Sequence, residues 1–171
     1  MGLTTIDGLP AHPLLVHLAV VLIPISALLL ILAVCWPAAR IRLGLLPMVT
    51  ALVTLVLVPI TTDAGQWLKE QLPSDPLVQA HADLGEQMLF WSIGVFVLAT
   101  AWWVLHSNRF VKWRTDHTHR SGSDRSASPK AWRFVVLTVA VVSVLVAAGS
   151  VVQVYRIGES GAKAVWNDQL G

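Results

Sequence analysis

The chain has 171 residues, of which 55% are hydrophobic and only 13% charged. A soluble domain carries charge on about a quarter of its residues, so this composition excludes a water-soluble globular protein, and it excludes intrinsic disorder equally. The net charge is +2, and the single cysteine, Cys35, excludes an intrachain disulfide framework and any paired-cysteine metal or redox motif.

Four stretches are free of Asp, Glu, Lys and Arg: Pro13–Trp36, Leu43–Thr62, Gln87–Leu105 and Phe134–Tyr155. At about 1.5 Å per residue, each reaches across a hydrocarbon core of roughly 30 Å. In lipid the backbone must satisfy its own hydrogen bonds, so these segments are helices rather than strands. The fold class expected is an all-α integral membrane protein, a four-transmembrane-helix bundle forming one domain over residues 1–171. The first span reads as a retained helix, not a cleaved signal peptide, because no Lys or Arg precedes it and its apolar run is too long.

The loops set the orientation. Arg40 and Arg42 lie between the first two spans. Arg109, Lys112, Arg114, Arg120, Arg125, Lys130 and Arg133 lie between the last two, so nine of the 12 basic residues share one side. Cytoplasmic loops carry this excess, which places both termini and the loop Asp63–Glu86 outside. The linker 107–130 contains the tract HTHRSGSDRSASPK, polar and Ser-rich, and is expected to be a disordered cytoplasmic segment. Its Arg109, Lys112 and Arg114, with Phe110 and Trp113, suit an anionic leaflet rather than nucleic acid, which would need a folded basic face. The His117–His119 pair reads as solvated linker. The partners expected are the lipid bilayer and a redox protein, with no nucleic acid.

Ionisable residues inside membrane helices are costly and point to function. Here they crowd at one depth. His12 and His17 begin the first span, Asp63 ends the second, His81, Asp83 and Glu86 lead into the third, and Gln153, Tyr155, Arg156 and Glu159 close the fourth. The inner halves hold nothing ionisable, with His106 at their boundary. An ion pathway would need polar groups through the whole thickness, and a two-haem wire would need histidines at both depths. One outer-leaflet site, or a polar collar, remains.

His12 and His17 are five residues apart, about 140° around a regular helix, and so cannot both face one centre. His12 precedes Pro13 and is expected outside the helix as a cap. That leaves His17 as the inward-facing candidate. His81 opens HADLGEQMLFW, with Gly85 one turn on, where the missing side chain leaves room for a flat macrocycle. Neutral imidazole is a common axial ligand of haem iron. The expected ligands are therefore His17 and His81, with His12 as an alternative and Arg156 as partner to a propionate. Ala147, Ala148, Gly149 and Ser150 suit either a cofactor or close helix packing. Zinc or copper on His12, His17, His81 and Asp63 is the weaker alternative, since the spacing matches no compact metal motif. Pro24 and Pro59 are expected to kink their helices, Pro24 about two turns below His17. The tryptophans read mostly as interfacial belts, Trp91 excepted.

The opening GLPAHPLLVHLAVVLIPIS, the later HADLG and the tail YRIGESGAKAVW resemble the recurring stretches of the bacterial family catalogued as domain of unknown function 2231. The pairing of His12-Pro13 with His17 is the most specific part, although Leu18-Ala19 stands where the family pattern has Phe-Pro. The resemblance implies a multi-pass membrane protein. Fusion of some members to Rieske iron–sulfur domains implies electron transfer and a b-type haem. The lone cysteine here could not supply a Rieske cluster.

The leading expectation is thus a haem-b-binding, electron-transferring protein of the bacterial inner membrane rather than an enzyme. A non-catalytic membrane subunit docking partners through its linker is the alternative, followed by a periplasm-facing metal-binding protein. An ion channel ranks last.

Overall fold

A computed structural model describes residues 4–6, 8–107 and 129–170. The chain begins with a small hairpin in which β1 (Thr5–Ile6) pairs antiparallel with β2 (Leu9–Pro10). Its turn contains Gly8 at φ +79°, a conformation that side chains disfavour. The Ala11 amide then donates to the Thr4 carbonyl at 2.9 Å, and Ala11 is buried, so the hairpin folds onto the head of the first helix.

α1 (His12–Cys35) stops where Trp36 precedes Pro37 and turns extended, as the residue before proline prefers. A short α2 (Pro37–Leu43) and Gly44 at φ +52° reverse the chain into α3 (Leu46–Glu70). Asp75 caps α4 (Pro76–His106): its Oδ1 accepts from the Leu77 amide at 2.7 Å, and Pro76 fills the first helical position. α5 (Pro129–Leu170) closes the chain. α1, α3, α4 and most of α5 are long and apolar enough to cross a membrane.

The four spans stand where the apolar stretches lie, but the helices outrun them on one side. α3 continues past Thr62, α4 starts well before Gln87, and α5 continues past Tyr155. Loss of hydrophobicity marks where lipid ends, whereas a helix ends at a cap or a proline. His81 therefore sits inside α4. His12 is the first residue of α1 rather than a cap outside it, because Pro13 occupies an early helical position where its missing N–H leaves no bond unmade. α1 runs on through Pro24 and α3 through Pro59 without interruption. Most of the linker expected to be disordered, residues 108–128, lies outside the described residues; residues 129 and 130 already belong to α5.

α1 packs against α3 and α5, and α4 packs against the same two, while α1 and α4 meet only weakly across the diagonal. The starts of α1 and α4 and the later parts of α3 and α5 share one end of the bundle, called the histidine end below.

The two hairpins, α1–α3 and α4–α5, repeat each other. The shift along the chain that carries His12 onto His81 also carries Ala19, Ile23, Leu30 and Ala33 onto Met88, Ser92, Ala99 and Trp102, all buried. The longer shift that carries Gly65 onto Gly161 carries Ala51, Thr54, Leu57 and Val58 onto Ala147, Ser150, Gln153 and Val154, again all buried. The inward faces thus keep one register in both halves, as expected of parallel repeats about an axis along the membrane normal.

Small and polar side chains join the helices. Ser26 and Thr54 share a 2.9 Å hydrogen bond between α1 and α3, Gln153 donates to the Leu84 carbonyl at 3.0 Å, and Trp102 donates to the Ala33 carbonyl at 3.0 Å. Large apolar side chains such as Leu14, Leu28, Val56, Phe90 and Leu145 stay exposed on the outside, the surface a bilayer would cover.

The six-membered ring of Trp91 packs against Gly149, where a Cβ would collide with it. We predict that Gly149→Val destabilises the protein by about 1–3 kcal/mol, read as a lowered thermal midpoint in detergent. Gly158→Ala, which meets no atom within 4 Å, is expected to be neutral or slightly stabilising.

Candidate functional site

At the histidine end, His12 from α1 and His81 from α4 face each other across the bundle. Their ring centres are 6.3 Å apart and their planes nearly perpendicular, at 82°. Both rings are half-buried and each is anchored in the same way. His12 Nδ1 lies 3.0 Å from the Thr61 carbonyl of α3, and His81 Nδ1 lies 3.1 Å from the Ile157 carbonyl of α5 and 3.1 Å from Ser160 Oγ. A carbonyl oxygen can only accept, so Nδ1 carries the proton in both rings and Nε2 keeps its lone pair.

One turn beyond each carbonyl stands a glycine that admits the ring. A Cβ on Gly65 would lie 2.8 Å from His12 Cε1, and one on Gly161 would lie 3.0 Å from His81 Cε1. The surrounding sequences match, Asp63-Ala64-Gly65 in α3 and Glu159-Ser160-Gly161 in α5. Histidine, carbonyl and glycine therefore form a unit that occurs twice, once per hairpin.

A cavity of about 450 Å³ opens beside the pair, bounded by His12, His17, Gly65, Lys69, His81 and Gly85 among others, with mostly apolar walls. This falls in the range of roughly 300–1,000 Å³ usual for small-molecule sites. A Cβ at Gly85 would meet nothing within 4 Å, so the space expected beside that residue is open.

The other expected site residues fall differently. His17 lines the cavity but is exposed, and its Nδ1 bonds the Pro13 carbonyl of its own helix, so it is His12 that faces His81. The two α1 histidines point different ways around the helix, with His12 rather than His17 turned toward His81. Arg156 is exposed and outside the cavity wall, while Glu159 pairs with Lys163 at 2.7 Å. The cation at the cavity is Lys69, a residue that neither the apolar spans nor the histidine spacing singles out; its Nζ donates to Gln79 Oε1 at 3.2 Å. Beside it Gln66 Nε2 donates to Glu86 Oε1 at 2.6 Å. Gly149, Ala147 and Ser150 serve helix packing rather than the cavity, and Pro24 and Pro59 border none of it. Among the described residues, no three His, Cys, Asp or Glu side chains gather as a metal-binding group.

These contacts predict a fixed tautomer. Long-range proton–nitrogen NMR of the detergent-solubilised protein is expected to show the proton of His12 and His81 on Nδ1. Gly65→Val or Gly161→Val is expected to disturb the histidine it faces and leave the other signal nearly unchanged.

Neither a curated protein nor a solved structure matches the chain. A family model described as a predicted membrane protein, domain of unknown function 2231, matches residues 8–171, which include every helix and both histidine–glycine units. The chain belongs to that family of membrane proteins.

Proposed function

We propose that this protein binds one b-type haem between His12 and His81 and exchanges single electrons with a partner protein at the bacterial inner membrane. The observation that carries the reading is the pair of imidazoles facing each other with ring centres 6.3 Å apart. Iron–nitrogen bonds of about 2 Å, with about 1.1 Å from nitrogen to ring centre, put the ring centres of a bis-histidine site roughly 6 Å apart. A ligating histidine characteristically donates its other ring N–H to a backbone carbonyl or carboxylate, as both rings do here.

The size of the donor set favours haem over a bare ion. Zinc sites draw three or four ligands from the protein, and the described residues assemble no such group. A porphyrin supplies four nitrogens of its own, so two opposed imidazoles complete the iron. Bound haem would supply a reversible one-electron couple. Held by both His12 and His81, the group would favour electron transfer over oxygen chemistry.

The chain's own residues set the conditions. The Thr61 and Ile157 carbonyls hold the rings in the ligating tautomer, and Gly65 and Gly161 let them sit against the helices. The cavity walls are mostly apolar, and Lys69 among them would offer a cation to a propionate. The excess of basic residues in the loops at the far end supports a periplasmic histidine end with both termini outside.

Protein produced with ample haem precursor and purified in mild detergent is expected to show a Soret band and about one haem per chain. His12→Ala and His81→Ala should each cut the haem content at least about tenfold, since one lost ligand leaves the iron under-coordinated, whereas His17→Ala should retain most of it. A colourless wild-type preparation would reject the reading. Loss of haem in His17→Ala alone would reject this pair of ligands.

A further inference from the structure

The opposite end of the bundle holds a second cavity of about 450 Å³, remote from both ligand histidines. Its polar rim comes from Arg40, His106 and Ser107, and its apolar walls include Leu30, Ile41, Met48 and Trp103. We propose that this cavity binds one anionic phospholipid, with the headgroup phosphate on Arg40 and an acyl chain along the apolar walls.

The rim is built rather than incidental. Trp102 is 5% exposed and fixed through its Nε1–H on the Ala33 carbonyl at 3.0 Å. The Arg40 guanidinium lies 5.9 Å from the Trp102 ring, near the outer limit of cation–π attraction. His106 donates from Nδ1 to the Trp102 carbonyl at 2.9 Å, with its ring 4.4 Å from the indole. Gly44, in its positive-φ turn, borders the same cavity.

The counter-charge must come from outside the described residues. The acidic side chains described, Asp63, Glu70, Asp75, Asp83, Glu86 and Glu159, all belong to segments at the histidine end. The far end carries Arg40, Arg42, Lys130 and Arg133. Arg40 is half-buried, whereas Arg42 is exposed. A half-buried guanidinium above greasy walls, at the depth where helices meet headgroups, matches the chemistry of a lipid phosphate joined to a hydrocarbon tail. Free phosphate would leave the walls unused.

Native mass spectrometry of the full chain in detergent tests this with three probes: dioleoylphosphatidylglycerol, dioleoylphosphatidylcholine and inorganic phosphate. Wild-type protein is expected to retain one phosphatidylglycerol about fivefold better than phosphatidylcholine, with inorganic phosphate not competing. That preference should vanish in Arg40→Gln and persist in Arg42→Gln. Equal retention of the two lipids by wild type, survival of the preference in Arg40→Gln, or displacement of the lipid by inorganic phosphate would each overturn the proposal. The lipid comparison on wild type stands even if Arg40→Gln fails to fold.

Discussion

An imidazole N–H held by a helix carbonyl, with the ring lodged over the glycine one turn further on, is the contact around which this protein is arranged. It occurs at His12 with Thr61 and Gly65, and again at His81 with Ile157 and Gly161. Each part limits the others. The carbonyl fixes which nitrogen bears the proton, and the glycine sets how close the ring lies to the neighbouring helix. A side chain at either glycine would displace the ring, and a ring held elsewhere would not meet its counterpart.

The bundle gives these two contacts a common axis. α1 and α4 lie on one diagonal and are kept apart by α3 and α5, so residues projecting inward from them meet in the middle. Below the histidines the repeated buried faces are filled by small and medium side chains, tied by Ser26–Thr54 and Gln153–Leu84. At the far end the same inward register ends in Ala33 and Trp102, joined by the indole N–H. The two ends therefore differ in chemistry, with a facing imidazole pair and carboxylates at one and Arg40, Trp102 and His106 at the other, although one packing rule runs between them.

Much of this was legible from the residues alone. Segments without charge located all four spans, and the polar groups, costly to bury in lipid at any position, crowd at the end of the bundle where His12, His17 and His81 border one cavity. Gly85 beside open space and His81 at the centre were also readable. The choice between His12 and His17 was not, since it turned on whether α1 begins before or after Pro13, a matter of one residue. Arg156 is exposed and lies outside the cavity wall whereas Lys69 lines it, a difference of helix face that charge and depth alone do not reveal. The repeat is hard to read from the sequence because the hairpins have connections of different length: a short α2 turn in the first, and the long stretch between Ser107 and Pro129 in the second. Its signature was nonetheless present as Ala-His at 11–12 and 80–81, and as acid-small-Gly at 63–65 and 159–161.

The halves are alike without being identical, and the difference falls at the cavity wall. Lys69 in the first hairpin corresponds to Val165 in the second, and Gln66 corresponds to Ala162. A perfectly twofold pocket would accept a planar guest equally well in either of two flipped poses. Here Lys69 stands on the α3 wall and Val165 on the α5 wall, so a planar guest with one charged edge would be offered a cation on one side only.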